Sequence, residues 1–250
     1  MTDRVVKLTI VNDFVCANCC IGQHELLSAI SYCKDTLRLP LSFELEHMPF
    51  RLISTACLSD DSTKAKVAKS TFYENRYGKE KFTNIEAAIS KWAKEKGIPI
   101  SLRGVMSQST RAHRLAIKAG KIGGQKYQLP VLCGIFKANL EDNKDIADIN
   151  VLAEIAESTG MMSKDEAIQF LHSDELEQEV NDMCENARNI GISGVPMTII
   201  DGKWAISGGQ SSDVYVQVFK KLAAAGVSPN GVYAAPSPLP ASVVETNICA

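Results

Sequence analysis

The feature that most restricts the fold of this chain is a change of hydrophobic period at a pair of cysteines. Val5 to Val11 (V-V-K-L-T-I-V) is short, rich in β-branched residues and followed by the turn formers Asn12 and Asp13, which predicts a buried strand. It stops at Cys16-Ala17-Asn18-Cys19. From Ala17 to about Cys33, Ile21, Leu26, Leu27 and Ile30 recur near helical spacing, with Glu25 early and Lys34 at the end to suit the helix dipole. Leu41 to Met48 then alternates Leu41, Phe43 and Leu45 with Ser42, Glu44 and Glu46, the period of a second strand. A β-α-β opening with parallel pairing and a right-handed crossover follows.

After this opening the period becomes helical from about Thr63 to Arg188, as in Ile85, Ala88, Ile89, Trp92 and in Leu132, Ile135, Phe136, Leu140. Ser163-Lys164-Asp165-Glu166 is a capping-box pattern. Strand character returns at Val195 to Asp201 and Lys203 to Ile206, joined by Asp201-Gly202, a strong hairpin signal. A last helix runs from about Ser212 to Ala225, with Val214, Val218 and Leu222 on one face. The expected organisation is an α/β frame in two parts, 1–62 and 189–225, split by an all-helical insertion, 63–188, with a Pro-rich tail at 226–250.

Composition narrows the function. With 27 Lys plus Arg against 29 Asp plus Glu, the net charge of -2 gives no basic field for nucleic acid. No apolar run approaches a membrane span or a secretory signal, so a soluble, cytoplasmic protein is expected. Eight cysteines in 250 residues do not make a disulfide-stapled miniprotein, and their placement carries more information than their number.

A thiol at a helix N-terminus faces unpaired backbone N–H groups and the positive end of the dipole, which favour thiolate and lower its pKa from about 8.5. Cys16 is therefore the candidate nucleophile. Cys19, one turn on, is the candidate resolving thiol, more buried and less acidic. Two other readings stay open: small core residues, or a zinc site built from Cys16, Cys19, Cys20 and His24. Cys20 is read as an apolar filler or as an alternative resolving thiol. Gly194-Val195-Pro196 at a strand start marks either a trans edge proline or a cis bond; a cis bond would bring the Val195 backbone toward the thiols, ready to pair with an extended peptide or a glutathione backbone.

Taken together, Asp13-Phe14-Val15-Cys16-x-x-Cys19-x-Ile21-Gly22, Ala112-His113-Arg114-Leu115, Gly194-Val195-Pro196 and Ile206-Ser207-Gly208-Gly209-Gln210 resemble the FrnE-like branch of the DsbA family over roughly residues 5 to 222. The resemblance implies a thioredoxin-like α/β fold with a large all-helical insertion, a redox pair at Cys16 and Cys19, and a cis-proline at Pro196 opposite it. Kappa-class glutathione transferases and 2-hydroxychromene-2-carboxylate isomerases are similar in fold but use a Ser where Cys16 stands. They imply glutathione contacts at Val195 and at Gln210, Ser211 and Ser212, where a helix N-terminus suits a carboxylate. The chain departs from the pattern at Ala17-Asn18, where relatives carry Pro-Trp or Pro-His, and at Gln108, where they often carry Asn. The missing His implies a weaker oxidant than DsbA. His113, beside Arg111 and Arg114 in a helical run, is read as structural or helix-surface, or else as lining the cleft.

The expected activity is thiol-disulfide exchange on a peptide, glutathione or small-molecule substrate, with no tightly bound cofactor or metal, no nucleic-acid or membrane partner, and room for a homodimer. The alternative is a glutathione-dependent transferase or isomerase acting on a small, polyketide-like molecule. A third reading is a non-catalytic module that clasps a partner or metal with the cysteine cluster.

Overall fold

The computed structural model describes residues 3–55, 57, 58 and 66–224. The tail at 226–250 and the boundary expected at 62/63 lie outside the described residues. β1 (Arg4–Asn12), α1 (Ala17–Ser31, continued by a π-helical turn Tyr32–Thr36) and β2 (Leu41–Pro49) form the expected opening. Seven helices follow among the described residues: α2 (Lys69–Tyr77), α3 (Lys79–Glu95), α4 (Thr110–Gly123), α5 (Gln125–Leu140), α6 (Ile149–Ser158), α7 (Lys164–His172) and α8 (Glu177–Asn189). β3 (Met197–Ile200), β4 (Trp204–Ser207) and α9 (Ser212–Ala224) close the chain. The sheet order is β2-β1-β3-β4, with β1 parallel to β2 and antiparallel to β3. This is a thioredoxin fold carrying a helical insertion.

Alternation along β1 decides what covers each face. Val6, Leu8 and Ile10 pack against Leu26 and Ala29 of α1 and against Tyr215, Val216 and Phe219 of α9. The opposite face is covered only at its end, where Val11 meets Phe50, Ile192 and Ala187 of α8. Val5, at the uncovered end, is 47% exposed, so β1 is buried on both faces only where it approaches the cysteines. The expected strand Val195–Asp201 is shorter, because the Val195–Pro196 bond is cis and Pro196 has no N–H to donate to a ladder. The hairpin stands as expected: Asp201 and Gly202 both adopt positive φ (51° and 66°), the mirror-image turn that matches strand twist. Its second strand is shifted by one residue from the expected Lys203–Ile206 because Lys203 is used in the turn, its N–H donating to Ile200 O at 3.0 Å.

The insertion shares a core with the start of α1: Leu115, Val131, Ile135, Leu140, Ile146 and Leu152, all fully buried, cluster with Phe14, Cys19 and Ile21. The capping box at Ser163 and Glu166 is formed. The Arg114 guanidinium, 2% exposed, ends α7 by donating to the carbonyls of Phe170 (3.1 Å), Ser173 (2.6 Å) and Glu175 (2.8 Å). The end of α5 is closed in a similar way. Its last carbonyls accept from Glu141 and Asp142 N–H (on Lys137), Lys144 N–H (on Ala138), Lys69 Nζ at 2.6 Å (on Asn139) and Ser101 N–H (on Leu140). Lys69, 1% exposed, thus sets its ammonium against the negative end of α5.

Burial pulls the Lys69 pKa down from 10.5 to about 8, with charge on Asp145 opposing the shift. The folded value lies below the unfolded one, so between these limits the unfolded chain holds the extra proton and stability rises with pH. Lys69→Met removes the titrating group. Urea melts at several pH values should therefore show wild type gaining on Lys69→Met above pH 8, by at most ~1.4 kcal/mol per pH unit, with the gain ending near the unfolded pKa. Parallel stability curves for the two proteins would refute this account of Lys69.

Candidate active site

The geometry of the site starts with Asp13, which turns the chain from β1 into α1. Its carboxylate is buried and accepts the Leu52 N–H at 2.7 Å, while its carbonyl accepts the Cys16 N–H at 3.1 Å. This turn leaves Cys16 as the N-cap of α1, in extended conformation (φ -93°, ψ 111°). Sulfur takes the place of the oxygen that Ser or Asp would present there, and it accepts the Cys19 N–H at 3.3 Å. Cys16 is 9% exposed and Cys19 1%. Burial first, then the neighbouring Cys16, push the Cys19 thiol well above its ordinary pKa, against a contribution from the Asp13 backbone N–H. Cys19 is thus kept protonated beneath the more accessible sulfur. Both are free thiols, as are the other described cysteines.

The cis Val195–Pro196 bond brings the opposite wall into place. The Cys16 thiol donates to the Val195 carbonyl at 3.8 Å, although the two residues are 179 positions apart. Gly22, two turns into α1, makes the approach feasible: a Cβ there would lie 3.3 Å from the Pro196 ring and 3.4 Å from Gly209 Cα. Beyond Pro196, whose carbonyl accepts the Gly208 N–H at 2.9 Å, the chain passes under the Trp92 ring of α3 at Gly209. Cys16, Cys19, Val195 and Pro196 therefore meet at one place.

Gln210 and Ser211 lie further along the same loop, where Gln210 Nε2 donates to Ser207 O at 2.9 Å. The start of α9 is already engaged. Ser212 N–H donates to Glu25 Oε2 at 2.6 Å, and Nζ of Lys96, the residue that follows α3, sits 3.0 Å from the same oxygen. Glu25 is 2% exposed, so the carboxylate expected from a ligand at this helix N-terminus comes from α1 itself.

The zinc arrangement does not assemble. His24 is exposed on α1 while Cys16, Cys19 and Cys20 are buried, and among the described residues no group of three or more His, Cys, Asp or Glu is placed to hold a metal. Cys20, 9% exposed, is pushed up to about 12 by burial and by charge at Glu141, Cys133 and Cys16; its neighbour Cys19 is the residue whose backbone N–H and thiol meet the Cys16 sulfur.

His113 is neither on a helix surface nor in the cleft; it is fully buried under Phe14, with ring centroids 4.8 Å apart. Its Nε2–H donates to the Phe50 carbonyl at 3.1 Å and lies 3.5 Å from Asp13 Oδ1. Its Nδ1 then accepts from His47 Nε2–H at 3.3 Å. Burial, then His113, hold the His47 pKa well below its ordinary value, so that ring stays neutral. The periodicity around His113 is helical either way, and only packing shows which face is inside. Gln108 braces the stretch after β2, with its amide donating to Ile53 O (3.4 Å) and Leu58 O (3.0 Å).

Sequence reasoning missed the groups that hold the loop before Cys16, the candidate nucleophile. Asn139 of α5 donates to the Phe14 carbonyl at 2.8 Å, and Tyr73 of α2 donates to the Val15 carbonyl at 3.4 Å. Both come from the insertion, and no local pattern relates them to Cys16. Glu25 carried a visible signal, an acidic residue on a helix face otherwise bound for the core, but not its partner.

The family described as DSBA-like thioredoxin domain matches residues 7–220. A probable DsbA oxidoreductase from Streptomyces coelicolor shares 21% identity with the chain, at TM-score 0.75 over 94% of this chain and 97% of that one. A 2-hydroxychromene-2-carboxylate isomerase gives TM-score 0.60 at 14% identity, covering 88% and 95%. The cytosolic disulfide reductase DsbM from Pseudomonas aeruginosa, solved with GSH, gives 0.57 at 16% identity, covering 86% and 98%. No curated protein matches the sequence. The structural likenesses establish the shared fold, and the family match over nearly the whole described chain establishes membership: this chain belongs to the DsbA-like thioredoxin-domain family.

Proposed function

We propose that the protein is a dithiol-disulfide oxidoreductase or isomerase working through Cys16 and Cys19. The observation that carries this reading is the three-way meeting at Cys16 Sγ, where the Cys19 N–H points at the sulfur and the Val195 carbonyl stands across from it. The Cys16 thiolate attacks a substrate disulfide; the substrate S–S bond breaks, a Cys16–substrate bond forms, and one substrate thiolate leaves. Cys19 then gives its proton to that thiolate and attacks the Cys16 sulfur. The second substrate sulfur leaves as a thiolate, which takes a proton from water, and a Cys16–Cys19 disulfide remains, so two electrons pass from the protein to the substrate. Keeping Cys19 protonated until the first step has made a base suits this order.

The Val195 backbone supports an extended peptide substrate, because it lies beside the nucleophile with the following residues in β3. We place the reaction in a reducing, cytosolic compartment, in keeping with the cytosolic disulfide reductase among the structural neighbours. The second reading, a glutathione-dependent transferase or isomerase, draws on the isomerase and on the glutathione-bound reductase of the same fold. Glu25 weighs against a glutathione carboxylate at the start of α9, since its own carboxylate takes the Ser212 N–H.

Separate cysteine variants test the choice. Cys16→Ser is expected to abolish reduction of a peptide disulfide; Cys19→Ser is expected to lose at least ~100-fold in turnover and to accumulate a mixed disulfide on Cys16, visible by mass spectrometry. If Cys19→Ser instead turned over a glutathione-dependent small-molecule reaction at the wild-type rate, the transferase reading would replace this one. Gly22→Val tests the opposite wall, because its side chain would press on the Pro196 ring and on Gly209. It should lower kcat/KM by ~10-fold or more while Cys16 remains alkylable. An unchanged kcat/KM would show that the Pro196 position is irrelevant to turnover.

A further inference from the structure

Ionisation changes what the Cys16 sulfur requires of its surroundings. As a thiol it donates to the Val195 carbonyl (3.8 Å) and accepts the Cys19 N–H (3.3 Å). As a thiolate it keeps the second contact, but the first turns a carbonyl lone pair toward a negative charge. The residues between the cysteines, Ala17 and Asn18, include no imidazolium to offset this. A second donor would therefore have a large effect at this sulfur.

Tyr73 is placed to be that donor. Its ring is fixed on α2 by Phe72 (5.8 Å between centroids), Phe82 (5.5 Å) and Tyr77 (6.1 Å), and it packs against the cluster that contains Cys16. Its hydroxyl reaches the residue just before the nucleophile, donating to the Val15 carbonyl at 3.4 Å. That is long for an O–H···O bond, which is usually 2.5–3.0 Å, so the hydroxyl is only weakly engaged there. Burial, and then charge on Cys16, push the phenol well above its ordinary pKa. The hydroxyl therefore stays a donor throughout catalysis and lies close enough to the sulfur to feel its charge.

We propose that the Tyr73 hydroxyl turns from the Val15 carbonyl to donate a hydrogen bond to the Cys16 thiolate, making Tyr73 a catalytic residue contributed by the helical insertion. This rests on the reading of Cys16 as the nucleophile. The same donor would stabilise Cys16 as a leaving anion when a substrate thiolate attacks the substrate sulfur of the mixed disulfide, so that a substrate S–S bond forms as the Cys16–substrate bond breaks.

The test is the pH dependence of Cys16 alkylation by iodoacetamide in the fully reduced protein, located by mass spectrometry, for wild type, Tyr73→Phe and Asn139→Ala. Losing one hydrogen bond to a charge should move the Tyr73→Phe midpoint up by about one pH unit. A less stabilised thiolate is also more nucleophilic, with a Brønsted slope of about 0.4–0.5, so the variant should react about threefold slower at pH values below both midpoints and about threefold faster on the alkaline plateau. The two profiles should cross. Asn139→Ala loosens the same loop at Phe14 without touching the hydroxyl, and its midpoint should match wild type. Melting temperatures of the reduced proteins confirm that folded species are compared. A Tyr73→Phe profile that superimposes on wild type, or equal midpoint shifts in both variants, overturns the proposal while leaving the dithiol reading intact. A wild-type Cys16 that is not alkylated at any pH at which the protein stays folded overturns both.

Discussion

A sulfur that is to become an anion needs donors that do not move, and here they come from the first turn of a helix. Cys16 caps α1 with its own side chain, so the group that satisfies the Cys19 N–H is also the group proposed to react. The remaining architecture keeps this cap in place. β1 delivers the chain to the helix N-terminus, the Asp13 carbonyl holds the Cys16 N–H, and the cis Val195–Pro196 bond sets a carbonyl across from the sulfur. The Cys19 thiol, one turn below, stays protonated because it is enclosed.

The insertion takes part in the site as well as covering it. Asn139 and Tyr73 hold two successive carbonyls, Phe14 and Val15, on the approach to Cys16. Lys69 lies one turn before Tyr73 on α2 and closes the end of α5 that carries Asn139, so α2 and α5 are tied together behind the loop. On the other side Trp92 covers Gly209 and Lys96 meets Glu25. Three helices of the insertion, α2, α5 and α3, thus reach the sheet on either side of Cys16, which gives a physical reason for the insertion to influence the reactivity proposed for it.

Glu25 shows that a helix N-terminus can be satisfied from within the chain. A helix N-terminus attracts a carboxylate from whatever source is nearest. At α9 the source is a side chain of α1, two turns past the candidate resolving thiol, with Lys96 sharing its charge. At this position the chain itself supplies the carboxylate that a helix N-terminus attracts.

Local patterns in the sequence settled the strand-helix-strand opening, the Asp201-Gly202 turn, the capping box at Ser163 and the placement of Cys16 at a helix tip. Each is fixed by neighbours within a few residues, whose spacing and turn chemistry are written in the chain. Patterns could not say that His113 points inward, that Val5 lies on an uncovered face, or that Glu25 meets Ser212, because helical and strand periods give a face but not what packs on it. The cis state of Pro196, which local sequence left open, appears in the structure beside Gly22 and Cys16. Asn139, Tyr73 and Trp92 reach the site from helices far away in sequence, and only tertiary packing decides which side chains of a distant helix arrive at a given carbonyl or glycine.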